Sequence, residues 1–213
     1  MLTKFIYPLG ILAFIIFIIL RISLESSWVT LMDTEASNWL RGNAFIQSFH
    51  YLGEHSFILC ISVLLMIWLW LRASNYRGMM FALLTIGAGN ILNQLLKKWV
   101  QRDRPDIPDQ LATFSFPSNH AMMSVLFLFT LTYFATEDKK KTLGTSIIWL
   151  LAVFLSILIG LSRIAESRHF ASDIIAGWAI GYTWFVLVRA WYERRKHINK
   201  KLEQSNRQQK RYI

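Results

Sequence analysis

Apolar residues along this chain come in long blocks, with polar residues gathered between them. Six runs approach the 20 or so mainly apolar residues that a helix needs to cross a bilayer. They are Phe5–Ile22, Ser56–Leu71, Gly78–Leu96, His120–Thr136, Leu143–Leu161 and Ala171–Val188. Ser56–Leu71 is short, but it ends in Trp68, Trp70 and Arg72, an aromatic and cationic set typical of a membrane–water interface. The pattern predicts an all-α polytopic membrane protein with six transmembrane helices. A short amphipathic extracytoplasmic segment, residues 23–55, is expected between the first two. Phe5–Leu20 behind Lys4 also has the character of a secretory signal. The stretch that follows, "RISLESS", offers no small-x-small cleavage site, so it reads as a retained first helix.

Composition supports one membrane domain, residues 1–190, followed by a basic tail, 191–213. Of 213 residues, 54% are hydrophobic, and the mean hydropathy is +0.36, too oily for an ordinary soluble domain. The net charge is +10, much of it in "RRKHINKKLEQSNRQQKRYI". After a membrane helix such a tail is expected to rest on anionic lipid headgroups rather than on nucleic acid. Arg72 and Arg77, and Lys139, Lys140 and Lys141, fall in loops that share a side with both termini. The positive-inside rule makes that side cytoplasmic. Cys60 is the sole cysteine, which excludes an intramolecular disulfide and argues against a cysteine metal site.

Two outer loops break the charge rule. One carries Lys97, Lys98, Arg102 and Arg104, the other Arg163 and Arg168. Alone, the first set reads as snorkelling anchors at a helix end. With their neighbours, the two loops imply chemistry. Lys97 and Arg104 are seven apart, two helical turns, and Pro105 ends the helix or begins a turn. Ser118 is a candidate N-cap for the fourth helix, with His120 in its first turn. A helix start is itself an anion site. His169 and Asp173 are four apart, so a carboxylate there holds one imidazole nitrogen and leaves the other to attack. Arg163 closes the fifth helix towards the same space. Guanidinium groups, a lysine and a helix start suit a phosphate. The carboxylates do not cluster as an oxygen cage, and the histidines lack metal-ligand spacing. Metal-independent phosphoryl transfer with no cofactor is therefore expected.

The motifs Lys97-x6-Arg104-Pro105, Pro117-Ser118-Asn119-His120 and Ser162-Arg163-x5-His169-x3-Asp173 resemble those of the type-2 phosphatidic acid phosphatase superfamily. The family pattern is KxxxxxxRP, PSGH and SRxxxxxHxxxD, and the likeness covers about residues 78–188. The resemblance implies that His169 is the nucleophile, that Asp173 orients it, and that His120 is the acid and then the base. It implies phosphate binding by Lys97, Arg104, Arg163, Ser118 and Asn119. Asn119 stands where the family has glycine; asparagine is the next residue to tolerate a positive φ. Ala165 and Ser167 stand where many bacterial members have tyrosine and glycine.

The resemblance suggests two substrate classes, both lipid phosphates in the bilayer. Undecaprenyl pyrophosphate, hydrolysed to the monophosphate on the outer face, ranks first. Phosphatidylglycerophosphate or phosphatidic acid ranks second. A silent lipid-phosphate binder or transporter, or a lipid-to-lipid phosphotransferase, is the reading from another class. Other residues read as structural: Asn90, Asn93 and Gln94 as interhelical hydrogen bonders, Gly87 and Gly89 as points of close helix approach, and His50, Glu54 and His55 as surface groups.

Overall fold

A computed structural model describes residues 3–72, 74–108, 110–137, 139–140 and 142–209, with the backbone alone for 3, 4 and 196–209. Lys141 and residues 210–213 lie outside the described residues, as do the side chains of Lys4 and of 196–209 in the basic tail. Each apolar run forms a helix. The order is α1 (Thr3–Ile22), α2 (Ser27–Leu40), α3 (Ala44–Gln47) with a 3-10 turn over Ser48–Gly53, and α4 (His55–Leu71). There follow α5 (Tyr76–Ala82), α6 (Gly89–Val100), α7 (Asn119–Thr136), α8 (Leu143–Ala165) and α9 (Ala171–Gln209). A π-helical turn, Leu83–Ala88, joins α5 to α6. Such a turn loosens the backbone ladder, and here Trp184 Nε1 donates to the Leu84 carbonyl at 3.0 Å.

Phe5–Ile22, Tyr76–Val100, Leu143–Ala165 and Ala171–Arg195 are long and apolar enough to cross a membrane. The bent pair Ala44–Gly53 with His55–Leu71 makes a fifth candidate. The protein is thus a multi-pass, all-helical membrane protein. The expected fourth span, α7, is of a different kind. It is buried along most of its length and carries buried Ser124, Thr130 and Thr132. Helices α4, α6, α8 and α9 pack around it. Lipid-facing α1, by contrast, exposes Phe5, Leu9, Ile11 and Leu12. A helix walled by other helices needs no lipid-compatible surface, so α7 keeps serine and threonine in its middle where α1 runs on in aliphatic residues and phenylalanine.

Helices α7 and α9 meet at a glycine ridge. A Cβ at Gly177 would lie 2.7 Å from the Ser118 carbonyl oxygen, and one at Gly181 would lie 2.9 Å from that of Met122. Four-residue spacing puts both glycines on one face of α9. The close contact expected of Gly89 is also present, with Leu126 at 2.4 Å from a Cβ built there. Gly87 meets only Leu83 of its own segment, at 3.3 Å.

The α6–α7 loop corrects one expectation. Lys97 and Arg104 do not share a helix. Helix α6 ends at Val100, before Pro105, because Gln101 turns left-handed with φ 54°, a common helix stop. The α8–α9 turn uses the same device at Ser167, φ 54°. Arg168 and His169 then donate their N–H groups to the Arg163 carbonyl at 2.9 and 3.2 Å. A serine in this region is strained relative to glycine. Ser167→Gly is expected to raise stability by up to about 1 kcal/mol, read as a higher melting temperature in detergent.

Candidate active site

The three motifs meet at one end of the bundle. His169 is 4% exposed and Asp173 is fully buried. Asp173 Oδ2 lies 3.3 Å from His169 Nδ1 and accepts the Phe170 N–H at 3.0 Å. The carboxylate makes Nδ1 the protonated nitrogen, so Nε2 carries the lone pair. Arg104 Nη1 faces that Nε2 at 3.1 Å. Arg104 is anchored by the carbonyls of Thr113, at 2.6 Å, and Arg168, at 2.7 Å. Burial, with Arg163 and Arg168 nearby, pushes its guanidinium down to about 10, so it stays charged at neutral pH.

Lys97 is buried. Its ammonium donates to the Phe114 carbonyl and, at 3.3 Å, to that of Ser115. Arg104 Nη2 reaches the same Phe114 oxygen at 3.4 Å. The two cations therefore meet across the 101–118 loop, without the shared helix face that their spacing suggested. Ser118 is the N-cap of α7, its hydroxyl accepting the Ala121 N–H at 3.5 Å. Its own N–H donates to the Asp173 carbonyl at 3.0 Å, tying the starts of α7 and α9 together. Arg163 lies in the last turn of α8, its Nη1 2.5 Å from Glu166 Oε2.

Asn119 lies in the first turn of α7 and is not among the residues with positive φ. The departure from glycine therefore puts no strain on the backbone. It introduces a side chain whose Nδ2 sits 3.0 Å from His55 Nε2. His120 is buried, and its Nε2 has no hydrogen-bond partner among the described residues. Glu54 Oε1 lies 3.7 Å away, beyond hydrogen-bond range. A Cβ at Gly53 would fall 2.6 Å from the His120 ring. Gly53, Glu54 and His55 thus border the second motif; His55 is exposed and Glu54 partly so, as expected of surface groups, yet both reach its edge. His50 pairs with Glu166 at 2.8 Å. Asn93 does bridge helices, its Nδ2 donating to Met122 Sδ of α7 at 3.6 Å and to the Pro117 carbonyl just before that helix at 3.3 Å.

Two further groups reach the site, Arg102 of the cationic 97–104 stretch and Asp33 of the 23–55 segment. Arg102 Nη1 donates to Asp173 Oδ1 at 2.7 Å, and Nη2 to Asp33 Oδ2 at 2.8 Å. Both Arg102 and Asp33 line a cavity of about 380 Å³ that opens beside His169. Thr30, Thr34, Ser37 and Asn38 of α2, with its C-cap Arg41, also line it. Among the described residues no group of three or more His, Cys, Asp or Glu is placed to hold a metal ion.

The pKa of His169 falls from 6.5 to about 3, through burial first, opposed by Asp173 and aided by Lys97 and Arg104. The ring is therefore neutral at physiological pH. Because the folded pKa lies below the unfolded one, this group's stabilisation is complete above pH 6.5. It is lost as pH falls towards 3. His169→Gln is expected to lose less stability than the native protein between those values, as pH-dependent melting in detergent would show.

The chain's likeness to known proteins agrees with this site. The PAP2 superfamily model matches residues 78–197. Phosphatidylglycerophosphatase B of Bacillus subtilis (strain 168) is 28% identical over 203 residues, 88% of this chain and 97% of that protein. Phospholipid phosphatase-related protein type 1 of Homo sapiens is 34% identical over 70 residues, 32% of this chain and 22% of that protein. The crystal structure of a transmembrane PAP2 type phosphatidylglycerolphosphate phosphatase from Bacillus subtilis superposes with a TM-score of 0.76. It is 27% identical and covers 87% of this chain and 96% of its own. With three motifs gathered at one end of a helical membrane bundle, this chain belongs to the PAP2 superfamily. It is a membrane phosphatase, a hydrolase acting on lipid phosphates.

Proposed function

We infer that the protein releases phosphate from phosphatidylglycerophosphate through a phosphohistidine at His169. The observation that carries the mechanism is the two-sided hold on one imidazole, Asp173 at Nδ1 and a guanidinium at Nε2. Substrate phosphate takes the place of the imidazole at Arg104, whose Nη1 now donates to a phosphoryl oxygen. Lys97 and Arg163 turn from their carbonyl and carboxylate partners to the other oxygens. The Nε2 lone pair attacks phosphorus, and the P–O bond to the lipid breaks. His120 gives its proton to the leaving oxygen. Neutral His120 then takes a proton from water, and the hydroxide attacks phosphorus. The N–P bond breaks, and inorganic phosphate leaves. Ser118 holds the start of α7 in place, and Asn119 lines the phosphate site with its side chain. No metal or cofactor enters any step.

Two supports favour the glycerol lipid. The relative from Bacillus subtilis is named a phosphatidylglycerophosphatase. The wall of Thr30, Thr34, Ser37 and Asn38 supplies hydroxyl and amide groups suited to a polyol headgroup. Undecaprenyl pyrophosphate is the second reading. Arg41 and Arg102 in the same cavity add positive charge that a diphosphate would use.

The same reading gives α7 as a sixth span, sheltered by its neighbours. The active site then faces outward, with both termini cytoplasmic. The tail from 191 onward lies against anionic headgroups, and residues 1–190 act as one domain. The test is phosphate release by purified protein in detergent with EDTA present. Phosphatidylglycerophosphate, phosphatidic acid and a polyprenyl pyrophosphate are compared. The fastest release is expected from phosphatidylglycerophosphate; faster release from the pyrophosphate would move the assignment to the second reading.

A further inference from the structure

The acidic member of the catalytic pair is itself held by Arg102, at a position that the first motif leaves open, and through it by Asp33, which lies outside all three motifs. Arg102 Nη1 donates to Asp173 Oδ1 and to Ser172 Oγ, both at 2.7 Å. Its Nη2 donates to Asp33 Oδ2 at 2.8 Å. Asp33 Oδ1 accepts the Ser172 N–H, and Oδ2 the Ser172 hydroxyl, each at 2.8 Å. The guanidinium also lies over the Phe170 ring, 4.2 Å from its centroid. Asp33 is 5% exposed, one of two buried residues on helix α2, the other being apolar Val29. It satisfies an N–H in the first turn of α9, which that helix leaves without an internal partner.

We propose that Asp33 is a positioning residue for catalysis, acting through Arg102 to keep the charge of Asp173 available to His169. The argument is one of charge, and it rests on the phosphohistidine reading above. Asp33, Arg102 and Asp173 together carry a net charge of −1. When Nε2 bonds to phosphorus with Nδ1 still protonated, the ring becomes cationic. The triplet balances that charge in a buried site where electrostatic terms are large. Without the charge of Asp33, the guanidinium of Arg102 belongs to Asp173 alone. The triplet becomes neutral, and the phosphorylated ring loses its counter-charge. The effect falls on the chemical steps, after substrate is bound.

Asp33→Asn separates the two roles of this carboxylate. It keeps an acceptor for the Ser172 N–H and removes the charge. In the full-length protein with phosphatidylglycerophosphate, Asp33→Asn is expected to lower kcat by roughly 10-fold or more, with KM changed less than about 3-fold. The melting temperature should stay near that of the native protein. Arg102→Gln removes the charge that Asp33 balances. In that background, Asp33→Asn is expected to cost less than about 3-fold further. Native kcat in Asp33→Asn overturns the proposal. So do losses that multiply in the double variant, or a kcat that falls only in proportion to folded protein. If Asp33→Asn does not fold, Asp33→Ser, which also keeps an acceptor and removes the charge, decides: a lowered kcat at unchanged KM supports the proposal, and a native kcat overturns it. His169→Ala separates the two inferences. Release that persists in His169→Ala, or is missing from the native protein, removes the phosphohistidine reading and this one with it. Release that needs His169 but ignores Asp33 removes only this one.

Discussion

His169→Ala is expected to lower phosphate release roughly 10⁴-fold or more, on monoester and pyrophosphate substrates alike. The loss is general because the covalent step disappears whatever the leaving group. Asp173 would remain hydrogen-bonded to Phe170 and paired with Arg102. Arg104 would keep its anchors at Thr113 and Arg168. The variant is therefore expected to fold and to bind lipid phosphate without turning it over. The check is phosphate release beside acid-labile labelling of the protein from a phosphate-labelled substrate. Native protein should carry the label transiently, and the variant should carry none. Turnover persisting in His169→Ala would reject the phosphohistidine.

His120→Ala is expected to divide the substrates. Hydrolysis of a monoester expels an alkoxide, which needs a proton in the transition state, and general acids contribute about 10²–10⁴-fold. A pyrophosphate expels a phosphate, whose oxygens already spread the charge. The variant should lose about 10²-fold or more on phosphatidylglycerophosphate and less than about 10-fold on a polyprenyl pyrophosphate. The unpartnered Nε2 of His120 suits this role, since no described group competes for it. Parallel rate measurements on the two substrates decide the matter. Equal losses would mean that His120 holds the site in shape and does not donate the proton.

The helices were legible because each needs a long apolar run, and length alone sets that signal. The site motifs were legible through spacing. His169 and Asp173, four apart, pair as a helical interval predicts, even though His169 stands just before α9. The reading failed where chain conformation decides the outcome. Seven residues between Lys97 and Arg104 suggested two helical turns, but Gln101 leaves the helix, and both side chains reach Phe114 instead. Nothing local marks Asp33 within the 23–55 segment, because its partner Ser172 lies 139 residues away. The approach of Glu54 and His55 to the second motif is hidden for the same reason. Gly177 and Gly181 did carry a signal, the stretch "GWAIG", which the emphasis on Gly87 and Gly89 passed over.

The contact of Gly177 and Gly181 with the backbone of α7 bears on how the enzyme meets different bilayers. Backbone against backbone cannot be compressed, and the Ser118–Asp173 link locks the two helix starts in register. When the hydrocarbon thickness changes, helices tilt or slide to match it. That adjustment falls on α1, which faces the lipid, rather than on the α7–α9 seam. The gap between His120 and His169 should then stay constant as acyl chains lengthen, and so should the chemical rate. Growth temperature and lipid composition would act on substrate delivery and leave the bond-breaking step alone.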